Sequence, residues 1–326
     1  MNKLIQIAKS FMRSRFPDIF AQLSKYYLYI KRLRAKIIWK LFKKKITEET
    51  LAKQLQLSGT INPGDILMVH SSLSAIGKVI GGPAAVCRAL QKAVTESGTL
   101  LMPSYHQRVP VTEMIKSGTL IDLRVAESSV GKLTETFRTL PGVIRSSHPF
   151  SSVCAWGRDA SEIAGSHNHT SLMCGPNSPF YKLLERSGKY MGIGVDIRII
   201  AIYHVLEDNW KEFPVTVNYP KSFLVKYIDT SGQLIHRELI LLNPDVSRNR
   251  IDQEIEGAWI RNWLTIHMKE RFIIQEFMLG QANCWIVNTR PFYEELKSLA
   301  KQGITIYTTK EEFYKMKVNL NENRCK

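Results

Sequence analysis

The feature that most narrows the fold is a buried strand, a helix and a second buried strand in immediate succession. Ile66-Leu67-Met68-Val69 is a short apolar run that follows the turn Asn62-Pro63-Gly64-Asp65, and it reads as a buried strand. His70-Ser71-Ser72-Leu73-Ser74-Ala75-Ile76-Gly77 leaves that strand, and Gly81-Gly82-Pro83 opens a helix over residues 84–94. Ser97-Gly98 then turns into a second strand, Thr99-Leu100-Leu101-Met102-Pro103. This order indicates an α/β architecture.

The flanking segments extend the pattern. Thr47 with Glu48 and Glu49 is an N-cap followed by acids in a first helical turn, and predicts a helix to about Leu57. Residues 104–150 are looser, with a helix predicted over 132–139 and ended by Pro141-Gly142. A strand is expected around 152–156, and Gly175-Pro176-Asn177-Ser178-Pro179 starts a helix through Glu185. Residues 223–227 and 234–242 predict an antiparallel pair joined at Thr230-Ser231-Gly232. The tail predicts a strand at 284–287, a helix at 291–301 and a strand at 304–308. No internal repeat, low-complexity segment or linker interrupts residues 46–326, which read as one domain.

Charge sets residues 1–45 apart. Of the 326-residue chain's net +16, these residues carry +12, with 13 Lys/Arg against the single acid Asp18. Ile19, Leu23, Tyr26, Ile30, Leu33, Ile37 and Leu41 recur three or four apart, an amphipathic helical stripe. The segment is read as a basic helical extension. It either packs on the body or rests on an anionic membrane surface. Nucleic acid is disfavoured, because no base-reading motif accompanies the charge. No run of about 18 apolar residues predicts a membrane-spanning helix, and no secretory signal is present. Five scattered cysteines without CxxC spacing fit a reducing, cytoplasmic compartment.

The chemistry centres on Tyr203-His204-Val205-Leu206-Glu207-Asp208, after the glycine-bearing strand end Met191-Gly192-Ile193-Gly194-Val195. If a helix begins near Ile202, His204 and Glu207 share one face, and Glu207 can hold one imidazole nitrogen while the other takes a proton. The bland alternative is a surface pair. His70-Ser71-Ser72-Leu73, at a strand end, and Ser129-Val130-Gly131, before a helix, present backbone N–H groups and hydroxyls of the kind that cradle phosphates. His167, His169 and Cys174 lack a fourth ligand at ordinary zinc spacing. Cys154 and Cys174 read as buried structural thiols rather than nucleophiles.

Taken together, the stretches GDILMVHSSLSAIGKVIGGPAAVCRAL, GTLLMPSY, ESSVGKLTETFRTLPGVIRSSHPFSSVCAWG, GPNSPFYKLL and HVLE resemble the aminoglycoside 3-N-acetyltransferase family over roughly residues 47–300. The resemblance implies a three-layer α/β/α sandwich around a central mixed sheet, and an acetyl-CoA-dependent N-acetyltransferase without a metal. It implies His204 as general base and Glu207 as its orienter. His70, Ser71, Ser72 and Leu73, with Ser129, Val130 and Gly131, match the CoA site. Arg145, His148, Pro149 and Ser151 match the family's motif near the reacting end, where the substrate binds.

The chain also departs from the family. Ile200-Ala201-Ile202-Tyr203 replaces the usual Thr-rich approach to the catalytic histidine, and residues 168–174 before the GPNSP turn carry no carboxylate. A mildly basic body suits a polycationic acceptor poorly. The expected acceptor is therefore an amino sugar on a nucleotide or lipid carrier, in surface-polysaccharide assembly at the inner face of the membrane. The alternatives are aminoglycoside acetylation that confers antibiotic resistance, and a membrane-associated scaffold without activity.

Overall fold

A computed structural model describes residues 46–107, 109–247 and 258–322. The basic extension 1–45, and with it the membrane reading, lies outside the described residues.

The strands among the described residues are, in chain order, β1 (Ile66–Ser71), β2 (Thr99–Pro103), β3 (Ile121–Asp122), β4 (Ile144–Arg145), β5 (Val153–Gly157), β6 (Lys189–Ile193), β7 (Phe223–Ile228), β8 (Leu234–Leu239), β9 (Ile274–Leu279) and β10 (Ala282–Asn288). Seven form one sheet in the order β4-β5-β2-β1-β6-β10-β9. The middle strands β2, β1 and β6 are parallel, and both flanks are antiparallel, so the sheet is mixed. β1 is apolar without alternation because both faces of the sheet are covered. Leu67 and Val69 face one core with Leu100, Met102, Met191 and Ile193, under the helices Glu48–Leu57, Gly82–Val94 and Lys132–Arg138. Met68 faces the other core with Leu101 and Tyr190, under the helices Ala160–Gly165, Pro179–Glu185, Ile202–Asn209, Ala258–Glu270 and Thr289–Lys301. The result is the expected α/β layering about a central mixed sheet.

Local sequence sets the helix starts. Thr47 Oγ1 accepts the Thr50 N–H at 3.2 Å, and Ser178 Oγ accepts the Tyr181 N–H at 3.1 Å, each satisfying an otherwise orphaned first-turn donor. The hairpin β7–β8 forms as expected and pairs with β3 in a separate three-stranded sheet over its own small core.

The tail differs from expectation. Residues 304–308 form a buried turn, not a strand. Thr308 Oγ1 accepts the Thr305 N–H at 2.7 Å, and Thr305 O accepts the Thr308 N–H at 3.1 Å. Side chains thus satisfy the backbone locally, and no ladder partner is needed. The helix Lys310–Glu322 that follows, and the pairing of β9 with β10, carry weak sequence periodicity and are findings of the structure.

Candidate active site

The three parallel strands end together, and their carboxyl ends carry His70-Ser71, Ser104-Tyr105 and Gly194-Val195. Ligands of open α/β sheets bind at such ends. Two cavities open there. One, of about 460 Å³, is lined by Ser151, Met173, Cys174, Phe180 and Leu241 among others. The second, of about 570 Å³, is lined by Ser71, Val130, Val195 and Arg198. His70, Tyr105, Ile199 and His204 line both, so His204 stands where the cavities meet.

The helix Ile202–Asn209 brings the predicted pair together. His204 Nδ1 lies 2.7 Å from Glu207 Oε2, one turn apart. The Glu207 side chain is 1% exposed and that of His204 is 26% exposed. The carboxylate is thus buried behind an imidazole that faces the cavities, and Nε2 is the nitrogen left to meet a ligand. The Glu207 Oε1 atom accepts the Tyr307 hydroxyl at 3.0 Å. Next along the helix, burial raises the Asp208 carboxyl above its ordinary range, though it accepts Asn218 Nδ2 at 2.8 Å and the Cys174 N–H at 2.9 Å.

His70, next to last in β1, has its ring stacked on Tyr190, centroids 5.6 Å apart. Burial pushes its imidazole down to about 4, so it is neutral near pH 7 and offers one donor and one acceptor. Ser71 lines the second cavity. Ser72, whose N–H donates to Ile193 O at 2.8 Å, and half-buried Leu73 begin the short turn of helix behind it. Val130 also lines the second cavity, between exposed Ser129 and Gly131. Ser129 Oγ donates to Tyr105 O and accepts the Gln107 N–H, each at 3.0 Å, and so ties this loop to the end of β2. Gly131, at φ +136°, leads into the helix Lys132–Arg138 and has open space where a side chain would stand. Close approach fixes another glycine. A Cβ on Gly192 would stand 2.2 Å from the Trp285 ring, whose Nε1 donates to Val195 O at 2.8 Å and anchors the loop after β6.

The residues matched to the substrate motif divide. Ser151 lines the first cavity. Arg145 and His148 are not among the residues that line either cavity. The Arg145 guanidinium donates to Leu123 O, Ala126 O, Ser104 O and Ser152 Oγ, and so staples β4 to the segment that carries Tyr105. The fully buried His148 ring lies on His167, centroids 4.7 Å apart, and its Nδ1 accepts the Ser151 N–H at 3.1 Å. Its surroundings are structural, and they hold Ser151 at the cavity wall.

His167 Nδ1 lies 2.9 Å from Ser146 Oγ, and His169 is exposed. Among the described residues no group of three His, Cys, Asp or Glu side chains is placed to hold a metal. Cys174 shares the first cavity with His204, a proximity that sequence spacing did not reveal. Burial, and then the charges of Asp208 and Glu207, raise its thiol well above its ordinary value, so it stays protonated and poorly nucleophilic. Tyr105, Arg198, Ile199 and Tyr307 are further site residues that sequence reasoning did not single out. Tyr105 had a usable signal, since it closes the stretch GTLLMPSY just beyond the second predicted strand.

A family model described as aminoglycoside 3-N-acetyltransferase matches residues 68–301. The SPbeta prophage-derived aminoglycoside N(3')-acetyltransferase-like protein YokD of Bacillus subtilis is 32% identical over 179 residues, 49% of this chain and 64% of that protein. Aminoglycoside N(3)-acetyltransferase VII of Streptomyces paromomycinus is 31% identical over 175 residues, 50% of this chain and 60% of that protein. The chain thus matches under two thirds of the length of these relatives. Among solved structures, the AAC-IIIb binary complex with CoASH superposes with a TM-score of 0.64 at 22% identity, over 79% of this chain and 98% of that one. The crystal structure of YokD from Bacillus subtilis gives a TM-score of 0.61 at 25% identity, over 78% of this chain and 93% of that one. The fold is shared over 78–79% of the chain, and the family match, residues 68–301, includes His204 and Glu207: the chain belongs to the aminoglycoside 3-N-acetyltransferase family.

Proposed function

We propose that this chain is an acetyl-CoA-dependent N-acetyltransferase that passes the acetyl group directly to a primary amine of an aminoglycoside-type amino sugar. The observation that carries the reading is a histidine held by a buried carboxylate at the junction of two cavities. The thioester end of acetyl-CoA would enter by the second cavity, past Ser71 and Val130, and the amine by the first. The amine nitrogen attacks the thioester carbonyl while His204 Nε2 takes its proton. The C–N bond forms, the C–S bond breaks as the tetrahedral adduct collapses, and the proton passes to the departing thiolate of CoA. Glu207 holds the Nδ1–H tautomer and stabilises the imidazolium that forms. The protonated, buried thiol of Cys174 supports direct transfer rather than an acetyl-enzyme.

The relatives' names favour an aminoglycoside as acceptor. One observation favours a second reading, an amino sugar on a nucleotide or lipid carrier in surface-polysaccharide assembly. Val111, Phe150, Met173, Phe180, Leu241 and Leu242 give the acceptor cavity apolar walls, which suit the methyl of a deoxyamino sugar better than a polycation. Release of free CoA thiol from acetyl-CoA, assayed with sisomicin, apramycin and a nucleotide-linked deoxyamino sugar, tests both. Turnover with the aminoglycosides alone supports the first reading, and turnover with the nucleotide sugar alone supports the second. No release with any of these amines counts against N-acetyl transfer.

A further inference from the structure

We propose that Tyr307 is a positioning residue of this site, its phenol locking the carboxylate that orients His204. The proposal rests on the acetyl-transfer reading for its purpose, but its geometry stands alone. The Glu207 carboxylate has two oxygens and a soft terminal torsion, with no strong preference for one plane. One oxygen meets His204 Nδ1 at 2.7 Å, and the other accepts the Tyr307 hydroxyl at 3.0 Å. With its side chain only 1% exposed, Glu207 has little access to water that could replace that donor. Two partners on opposite oxygens define the plane of the carboxylate. One partner alone leaves it free to swing.

The carrier of Tyr307 is built to hold still. Ile304 and Ile306 are buried at 5% and 3% exposure. Thr305 Oγ1 accepts the Tyr307 N–H at 3.1 Å, and Thr308 Oγ1 donates to Gly303 O at 2.8 Å. The Tyr307 ring meets the edge of Phe213, centroids 6.4 Å apart, and Phe213 in turn packs on Trp210 at the end of the helix that carries His204 and Glu207. The family match ends at residue 301, before this turn begins. The donor that completes the His204–Glu207 pair therefore comes from chain beyond the matched body.

The consequence is a fixed tautomer. A carboxylate locked toward Nδ1 keeps the proton on Nδ1 and the lone pair on Nε2, which is the form a general base needs. Removal of the phenol hydroxyl lets the carboxylate rotate and the tautomers mix.

The test is the imidazole nitrogen NMR spectrum of the full chain labelled with ¹⁵N-histidine, the His204 signals being assigned by their loss in His204→Ala. In the unaltered protein His204 should show the Nδ1–H pattern, with a downfield Nδ1–H proton resonance. Tyr307→Phe keeps the ring against Phe213 and removes only the hydroxyl. It should give averaged tautomer shifts, a broadened or lost Nδ1–H proton, and kcat lower by roughly 3–10-fold with KM for acetyl-CoA unchanged, a fraction of what loss of a general base removes. A tautomer pattern in Tyr307→Phe like that of the unaltered chain overturns the proposal. An Nε2–H pattern in the unaltered chain does so as well, whatever the variant's stability. If the pattern changes as expected while neither protein releases CoA with sisomicin or a nucleotide-linked deoxyamino sugar, the positioning role stands and the acetyl-transfer reading falls.

Discussion

The molecule holds two histidine clusters close to the same cavity, and they are built in opposite ways. In one, His204 is partly exposed, an anion occupies Nδ1, and Nε2 is left toward the two cavities. In the other, Ser146, His148, Ser151 and His167 are all buried; His148 Nδ1 and His167 Nδ1 meet hydroxyls or backbone N–H groups, and His148 Nε2 is buried without a partner among the described residues. Burial lowers the His148 imidazole well below its ordinary value and pushes that of His167 down to about 3. A histidine surrounded by neutral partners in an apolar interior is held uncharged and serves as a hydrogen-bonding spacer. A histidine with a carboxylate behind it and a cavity before it can accept a proton and keep it briefly. The same residue type is thus scaffold in one cluster and base in the other, and the buried carboxylate makes the difference.

The largest expected effect breaks the open cluster. His204→Ala should lower kcat by roughly 10²–10⁴-fold, the range for loss of a general base. Its calorimetric affinity for acetyl-CoA should change little. Near-normal turnover would sink the assignment. The closed cluster should show the inverse. His167→Phe keeps the volume and takes from the buried Ser146 hydroxyl its 2.9 Å ring partner, while Ser151 Oγ keeps His148 Nδ1 at 2.9 Å; the cost in urea unfolding should be about 1–3 kcal/mol for the group left unsatisfied. Its kcat should move far less than that of His204→Ala. An equal loss of turnover in the two variants would erase the distinction.

Acid should act on the closed cluster, and on buried His70 beside the open one, through the folding equilibrium. His70, with its imidazole at about 4, and His167, at about 3, are protonated less readily in the folded chain than the ordinary value of 6.5, and His148 is lowered too. Above about pH 6.5 the folded and unfolded chains both carry these rings neutral, and no penalty exists. As pH falls below that value the unfolded chain takes up protons and the folded chain does not, so stability drops. The drop is at most about 1.4 kcal/mol per pH unit for each histidine, and it continues until the folded values are reached. Urea midpoints between pH 7 and pH 5 should fall accordingly, and His167→Phe should flatten the slope by about one proton. A midpoint that rises on acidification would contradict the neutral-core account.

What the sequence made legible follows the range of its signals. The strands β1, β2, β5 and β10, the helix read over 84–94, the N-cap at Thr47 and the helix start at residues 175–179 rest on local periodicity and on signals within a few residues, and these were readable; the edge strands β4 and β9 were not. The pairing of His204 with Glu207 was readable too, because one helical turn fixes the geometry. Tyr307 was not, because its contact with Glu207 spans 100 residues of chain, and the turn that carries it reads as a strand until the threonine side chains are seen to satisfy the backbone. Arg145 illustrates a subtler limit. Its motif placed it near the chemistry, and the fold does set it beside the end of β2, but its donors are spent on Ser104 O and neighbouring carbonyls. Sequence shows that an arginine is present, and only the packed structure shows what its guanidinium touches.

A smaller effect than loss of the base is also the most discriminating. Glu207→Gln preserves shape. An amide oxygen can still accept from His204 Nδ1–H, and the Tyr307 hydroxyl, which both donates and accepts, can take a bond from the new NH₂. What is lost is the negative charge that steadies the imidazolium. A loss of about tenfold in kcat is expected, below that of removing the base itself, with the thermal midpoint unchanged. The double variant His204→Ala/Glu207→Gln then decides how Glu207 acts. If it works only through the imidazole, its removal should be silent once the ring is gone, and the double variant should be no slower than His204→Ala, since groups that act as a unit are not additive. A further tenfold loss in the double variant would mean that the carboxylate acts on the reacting groups directly, and the contrast between an anion-backed base and a neutral buried spacer would have to be redrawn around Glu207 itself.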